Sequence, residues 1–246
     1  MNDGVETMHL KSVTLHPPQY PVRDHYPFNL PVFNQSDQII FDAPDTLFVG
    51  ENGTGKSTLI KALARACGIH IWQDEERKRA EHNPYEDKLS DYMSIEWANG
   101  PVEGSFFGSS VFQDFVRMLD DWAAVSPGLL KYFGGQSLMT QSHGQSVMAF
   151  FNARYQIKGL YLLDEPETAL SPKTQFKLLE LLIKMGRSGH AQFIIATHSP
   201  ILLACPEAVI LSFDCTPIKE VRYEETEHYK LYKSFMEDRQ KYIDKF

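Results

Sequence analysis

Short apolar runs alternate along this chain with segments in which apolar residues recur at helical spacing. The apolar or alternating runs predict strands at residues 8–15, 46–49, 105–109, 159–163 and 193–196, followed by a terminal strand pair at 208–213 and 218–223. Helical spacing predicts helices at residues 56–67, 111–122, 145–155, 172–185 and 226–246, with a short helix near Ile201. This alternation is typical of an α/β fold with a largely parallel central sheet.

Two stretches interrupt the alternation. Residues 17–33 are rich in proline, which cannot take part in a regular strand ladder, so we expect an ordered surface loop with short strand pieces there. Residues 73–99 are polar and charged without an evident core, and residues 126–140 contain the glycine and proline typical of loops. We therefore predict one domain over residues 1–246, with a mixed, mostly helical lobe inserted at about residues 73–157.

The strongest chemical motif lies between the strand at 46–49 and the helix at 56–67. Residues 50–58 read GENGTGKST and satisfy the pattern G-x-x-x-x-G-K-[ST] of a phosphate-binding P-loop. Glycines let successive backbone amides converge on phosphate oxygens, and the helix start adds its positive dipole end. A glycine-rich loop that binds nothing is the alternative, and the flanking strand and helix argue against it. The predicted nucleotide-binding residues are Asn52, Gly53, Thr54, Gly55, Lys56, Ser57 and Thr58, with Lys56 at the β- and γ-phosphates and Ser57 also on Mg²⁺.

A second motif is the pair of acids that ends the apolar strand at 159–163. Ligands of parallel sheets sit at the carboxyl ends of the strands, where Asp164 and Glu165 are placed. We expect Asp164 to hold the Mg²⁺ shell and Glu165 to act as general base on the attacking water. Two capping carboxylates would be the alternative. Glu167 fits a solvated or loop-capping role as well as a catalytic one.

A third motif opens the helix that precedes the acidic strand. Residues 141–146 read QSHGQS and resemble the signature of ABC-class ATPases, in which a Ser-x-Gly-Gln sequence starts a helix. In that class the signature of one subunit contacts the γ-phosphate held by the other. The resemblance implies that Ser142 supplies a hydroxyl and Gly144 a closely approaching amide, with Gln145 completing the motif. His143, where transporters commonly have glycine, is either a phosphate contact or an ordinary surface histidine.

A fourth motif follows the strand at 193–196. Residues 197–200 read THSP and resemble the switch histidine of the same class, which implies that His198 bonds the γ-phosphate and orients the catalytic water. Residues 169–172 lie where the class has a loop that faces the dimer partner. Transporters usually have aspartate at the position of Ser171, so a contact of Ser171 across the interface stays open.

The class also has a glutamine that senses Mg²⁺. Gln113, after the strand at 105–109, is the best match. Ser110 is an alternative for that position, and Gln113 fits a helix-surface amide equally well. Tyr26 and Phe28 are possible adenine-stacking residues, but a core role suits each of them better.

Composition narrows the class of partner. The 246 residues carry a formal net charge of −8, which excludes a broad basic surface for nucleic acid but leaves room for a small local patch. The cysteines are Cys67, Cys205 and Cys215, whose spacing fits no metal motif and favours free thiols in a reducing compartment. We find neither a long apolar run nor a signal peptide, so we expect a cytoplasmic protein.

The whole chain resembles a family of compact bacterial proteins described as predicted ABC-class or AAA-family ATPases. Matching stretches include residues 26–31, 48–57, 141–144, 161–167, 193–203 and 226–229, although that family typically has glutamate at Gln145. The resemblance implies a P-loop NTPase with an ABC-type core sheet that hydrolyses Mg-ATP as a head-to-tail homodimer. Three roles stay open. The first is a clamp on an unidentified macromolecular partner, either a protein or a partner linked to nucleic acid. The others are the ATP-binding subunit of a membrane transporter and a nucleotide-gated regulatory module.

Overall fold

Two sheets and the helices that cover them make up the structure, a computed structural model that describes residues 8–72, 83–133 and 135–244. The strands, numbered in chain order, are β1 (Leu10–Leu15), β2 (Gln38–Ile40), β3 (Asp45–Val49), β4 (Met93–Trp97), β5 (Gly104–Gly108), β6 (Gly159–Asp164), β7 (Ala191–Ala196), β8 (Val209–Ser212) and β9 (Lys219–Glu220). The helices are α1 (Pro31–Gln35), α2 (Lys56–Ala66), α3 (Phe112–Val125), α4 (His143–Arg154), α5 (Pro172–Arg187), α6 (Pro200–Leu203), α7 (Glu227–Glu237) and α8 (Gln240–Ile243).

The larger sheet has six strands in the order β5-β6-β7-β3-β8-β9. All neighbours are parallel except β8 and β9, which form the predicted terminal antiparallel pair. Phe48, Ala196 and Asp164 lie in register at the ends of β3, β7 and β6, so three strands end at one level. The segments that follow these strands therefore share one edge of the sheet.

The larger sheet lies between two hydrophobic clusters, and its strands contribute apolar side chains to one cluster on each face. On β6, Tyr161 and Leu163 pack in the cluster with α3, α4 and α5, whereas Leu160 and Leu162 pack in the cluster with α2. The whole strand is buried, which is the pattern of a parallel strand covered on both faces. The α/β prediction with a largely parallel sheet is therefore confirmed.

The smaller sheet is antiparallel and has the order β2-β1-β4. The side chain of Gln192, fully buried on β7, joins it to the larger sheet: its Oε1 accepts from the backbone nitrogens of His9 and Leu10 at 2.9 and 2.8 Å, and its Nε2 donates to the carbonyl of Leu10 at 3.0 Å. An amide side chain here takes the place of a strand neighbour.

The helical part of residues 73–157 covers a shorter stretch of the chain than the predicted lobe. β4 and β5 both fall within residues 73–157, and they belong to the smaller and the larger sheet. Residues 73–82 lie outside the described residues. The helical portion runs from α3 to α4, and the division into core and lobe stays a prediction.

Two further segments differ from the sequence-based expectation. The proline-rich stretch contains the short helix α1, which begins at Pro31 because proline fits the first helical position, where no amide partner is needed. The predicted helix at 226–246 ends at Glu237, since Asp238 leaves helical geometry with φ −147° and ψ 82°. A separate short helix, α8, follows.

Candidate functional site

The loop between β3 and α2 has the shape of an anion-binding nest. Gly53 and Gly55 have φ of 82° and 105°, a region in which glycine is favoured. A Cβ on Gly55 would come within 2.9 Å of Phe33 Cζ, so the close approach of that ring also requires glycine. The first turn of α2 has no side-chain cap among the described residues, which leaves its amides free to bind an anion.

Lys56 is folded back onto this loop. It is 4% exposed, and its Nζ donates to the carbonyl oxygens of Gly50 and Glu51 at 2.6 and 2.9 Å. Burial lowers the pKa of Lys56, and the negative charges of Glu165, Asp214, Asp164 and Glu51 oppose that shift. The ammonium group is thus held ready beside the space that the loop amides surround.

Asp164 ends β6 and is buried, with Oδ1 lacking a hydrogen-bond partner in the part of the chain that the structure describes. Burial raises the pKa of Asp164, and a hydrogen bond from the Ser57 hydroxyl opposes the rise. An unpartnered buried carboxylate oxygen beside a serine hydroxyl suits a hard cation such as Mg²⁺. No group of three or more His, Cys, Asp or Glu side chains with metal-site geometry occurs within residues 8–72, 83–133 and 135–244. A cation here therefore needs oxygens from Ser57 and from phosphate.

Glu165 turns away from the strand in a left-handed conformation with φ 49°. This conformation costs about 1 kcal/mol in a residue other than glycine. The turn continues into a 3₁₀ segment, Pro166–Ala169, and it directs the half-buried carboxylate toward His198. The distance between Glu165 Oε1 and His198 Nε2 is 3.7 Å.

His198 follows β7 and is fixed by two neighbours. Its backbone nitrogen donates to Glu167 Oε1 at 2.6 Å, and its Nδ1 lies 2.9 Å from Nε2 of His228, which comes from the first turn of α7. Burial lowers the pKa of His198, and the charges of Lys56 and His228 lower it further. The imidazole is therefore neutral near pH 7.

Three residues that the motifs did not assign thus belong to this edge. Glu167 accepts from the backbone nitrogen of His198, a contact that fits its loop-capping role. His228 contacts the switch imidazole, and Asp214, after β8, accepts from the Glu51 amide at 2.8 Å. Glu167 lies within the acidic motif, and His228 lies within residues 226–229, one of the stretches that match the resembled family. No local pattern singles out Asp214, because tertiary contacts alone bring it to the site.

The predicted signature lies apart from this cluster, at the start of α4. Ser142 is exposed and caps the helix, and Gln145 Oε1 accepts from the amide and the hydroxyl of Ser142 at 3.0 and 2.8 Å. Gly144 lies in the same first turn. Within the described ranges, the side chains of Ser142 and Gln145 form no hydrogen bond with the phosphate loop.

Gln113 is not brought to the expected Mg²⁺ position. It lies on α3, and its Nε2 is 2.5 Å from Nδ1 of His143, beside the signature. It forms no hydrogen bond with Ser57 or Asp164 within the described part of the chain. The segment just after β5 is closer to that position, because the amide of Ser109 donates to the carbonyl of Asp164 at 3.4 Å. The assignment of Gln113 to the metal stays a prediction that this contact does not support.

The remaining motif residues have clear structural roles. Ser171 caps α5 by accepting from the amide of Thr174 at 3.3 Å, and its contact across an interface stays a prediction. Phe28 is fully buried in the core, as expected, and cannot stack on a base. Tyr26 is 39% exposed and hydrogen-bonds through its hydroxyl to Thr58 Oγ1, which places it beside the phosphate loop.

Comparisons with known proteins agree with this geometry. Residues 29–105 match the family described as "AAA domain", and residues 122–204 match the family described as "AAA domain, putative AbiEii toxin, Type IV TA system". The chain is 26% identical over 185 residues to the manganese transport system ATP-binding protein MntA of Synechocystis sp., covering 68% of this chain and 70% of that protein. It is 27% identical over 205 residues to the ferric enterobactin transport ATP-binding protein FepC of Escherichia coli, covering 76% and 70%.

A solved structure shows the same fold. The SmcHead bound to the C-winged helix domain of ScpA superposes with a TM-score of 0.52 at 13% identity, covering 87% of this chain and 97% of that one. The chain spans 62% to 70% of the length of the curated relatives that it matches. Together with the phosphate loop and the acidic strand end, these matches support an ABC-class P-loop ATPase. None of the helices that the structure describes is long and apolar enough to cross a membrane.

Proposed function

We propose that this chain hydrolyses Mg-ATP between two copies arranged head to tail, and that the cycle drives a clamp on a macromolecular partner. The observation that carries the proposal is the common level at which β3, β7 and β6 end. That level brings Lys56, His198 and Glu165 to one edge of the sheet.

The residues at that edge divide the work of phosphoryl transfer. The loop amides and Lys56 hold the triphosphate, and Ser57 and Asp164 would hold Mg²⁺, which would neutralise charge on the phosphates. Glu165 takes a proton from a water molecule while the oxygen of that water attacks the γ-phosphorus. The bond from that phosphorus to the bridging oxygen breaks, and ADP and phosphate are formed. His198 orients the water and the γ-phosphate.

The second half of the site comes from another copy in this proposal. Ser142 and Gly144 stand at an exposed helix start, where first-turn amides would meet a phosphate and the Ser142 hydroxyl would exchange its bond to Gln145 for one to that phosphate. An interface in which each copy gives its phosphate loop and receives a signature is isologous, so it closes at two copies. ATP between the copies closes the dimer, and hydrolysis opens it.

A complementation experiment tests the shared site. Lys56→Ala removes the phosphate-loop cation, and Ser142→Arg fills the signature turn, so each variant alone should be inactive as an ATPase. In a mixed dimer, the intact Lys56 of one copy meets the intact Ser142 of the other. An equal mixture should therefore recover roughly a quarter of the wild-type sites, because half of the dimers are mixed and each has one intact site.

The controls separate binding from assembly. Ser142→Arg should still bind Mg-ATP in calorimetry, whereas Lys56→Ala should not, and exposed Lys88→Ala should behave as wild type. Wild-type turnover in Lys56→Ala would refute the site. Full turnover in Ser142→Arg, or no recovery in the mixture, would refute the shared site.

A second candidate is the ATP-binding subunit of a transporter, which the relatives MntA and FepC favour by their names. His143 and Ser171 differ from the residues common in transporters. Retention of a membrane protein on the Glu165→Gln variant with ATP would support this candidate. Retention of a soluble protein or nucleic acid would support the clamp.

A further inference from the structure

The C-terminal helix α7 delivers a histidine to the switch histidine. Nε2 of His228 lies 2.9 Å from Nδ1 of His198, and the two ring centroids are 5.1 Å apart. Both rings are partly buried, and burial lowers the pKa of each. Two neutral imidazoles at this distance share a single proton, so one ring donates and the other accepts.

The position of His228 is fixed by its surroundings. Thr226 caps α7 by accepting from the amide of Tyr229 at 3.2 Å, and its hydroxyl donates to the carbonyl of Tyr223 at 2.7 Å. The hydroxyl of Tyr223 donates to the carbonyl of Pro200 at 2.9 Å. Pro200 begins α6, two residues after His198. The start of α7 is thus tied to the loop that it contacts.

The far nitrogens of the two rings decide which ring donates. Nδ1 of His228 is buried without a partner in the described residues, and a buried orphan acceptor is more readily tolerated than an orphan N–H. Nε2 of His198 is also buried without a hydrogen bond, and it faces the Glu165 carboxylate at 3.7 Å. An N–H is attracted to that carboxylate, whereas a lone pair is repelled by it. Both considerations make His228 the donor.

We propose that His228 is a positioning residue that donates from Nε2–H to Nδ1 of His198 and so holds the switch imidazole as its Nε2–H tautomer. The proton of His198 then points toward Glu165 and toward the γ-phosphate. The part that concerns phosphate rests on the proposed function, but the tautomer itself is a property of the free protein. Helix α7 thereby becomes part of the hydrolytic machinery.

Nitrogen NMR of the full chain with ¹⁵N-labelled histidine tests the tautomer without nucleotide. Long-range correlations distinguish a protonated from a bare ring nitrogen, and loss of signals in His198→Gln assigns that ring. We expect Nε2 of His198 to carry the proton in the wild type. His228→Leu should give averaged tautomers, and His228→Gln, whose amide can still donate, should preserve the Nε2–H form. A proton on Nδ1 of wild-type His198, or an unchanged tautomer in His228→Leu, overturns the proposal.

Turnover supplies the second readout. His228→Leu should lower kcat for ATP about 10- to 100-fold with little change in KM, by analogy with groups that orient metal-bound histidines. His228→Gln should recover most of the loss, and His16→Leu, far from the site, should match the wild type. Equal losses in the Leu and Gln variants would show a merely structural role. If Lys56→Ala kept its turnover, the proposed function would fail while the tautomer result would stand.

Discussion

At the scale of single residues, the acidic motif shows how one short sequence places carboxylates in different environments. Asp164 lies beside Ser57 with an unpartnered oxygen, Glu165 turns toward His198, and Glu167 accepts from a backbone amide. Burial raises the pKa of both Asp164 and Glu167. In the proposed mechanism these three carboxylates therefore serve a cation, a water molecule and a backbone amide.

A buried acid away from the site gives a prediction about pH. Asp45 begins β3, is 6% exposed, and accepts a weak hydrogen bond from the Cys205 thiol at 3.8 Å. Burial raises the pKa of Asp45 to about 7, with Glu207 adding to the rise. A carboxyl whose folded pKa exceeds its unfolded value stabilises the fold fully below the unfolded pKa, and this contribution is lost as pH rises through about 7.

We therefore expect Asp45→Asn to gain stability relative to the wild type as pH rises. Between about pH 5 and pH 8 the difference in free energy of unfolding should shift by about 3 kcal/mol in favour of the variant, at about 1.4 kcal/mol for each pH unit between about pH 5 and the folded pKa. Urea unfolding at the two pH values measures it, with exposed Asp42→Asn as the control. Parallel pH curves for Asp45→Asn and the wild type would contradict the assignment.

At the scale of elements, the phosphate loop separates two demands on glycine. Gly53 and Gly55 both have positive φ, but a Cβ on Gly53 would meet open space, while one on Gly55 would meet Phe33. We expect Gly53→Ala to lower the free energy of unfolding by about 1 kcal/mol. Gly55→Ala should lower it by about 2 kcal/mol or more. Denaturant unfolding compares them, and equal losses would show that the ring gives way freely.

Sequence patterns located most elements because the pattern was local and buried. The strands β3, β6 and β7 are apolar on both faces, and their positions followed directly from their apolar runs. β4 was missed because it lies at an edge of the small sheet, none of its residues is fully buried, and its partner β1 is distant in sequence. Helix α7 was extended too far because residues beyond Asp238 keep a helix-like composition without a packed face.

The same distinction holds for the site. Lys56, Asp164 and Glu165 stand next to a strand end or a helix start, so local sequence was enough to propose them. Asp214 reaches the edge only through the packing of β8, which no single-sequence pattern encodes. His228 lies in residues 226–229, a stretch that matched the resembled family but had no role assigned to it. Gln113 is the converse case. Its place in the motif order suited the glutamine that senses Mg²⁺, but its side chain contacts His143 instead.

At the scale of the whole molecule, the exposed signature predicts a change of assembly. Glu165→Gln keeps the shape of the base but cannot take the proton, so ATP should stay bound and the dimer should persist. Light scattering should report about twice the 28.2 kDa chain mass with Mg-ATP and a lower mass without it. The double variant Glu165→Gln with Ser142→Arg is the matched control and should stay monomeric. A monomer for Glu165→Gln with ATP bound would rule out the sandwich.

The side-chain amide of Gln192 couples the smaller antiparallel sheet to the larger sheet. It fastens β1 to β7, and β7 is the strand that runs directly into the switch loop. The smaller sheet is therefore physically connected to the edge of the larger sheet that carries His198. A displacement of its outer face would reach β7, and with it His198, through this amide and through the apolar cluster that β1 and β7 share, whereas a displacement of α3 and α4 would first reach the signature.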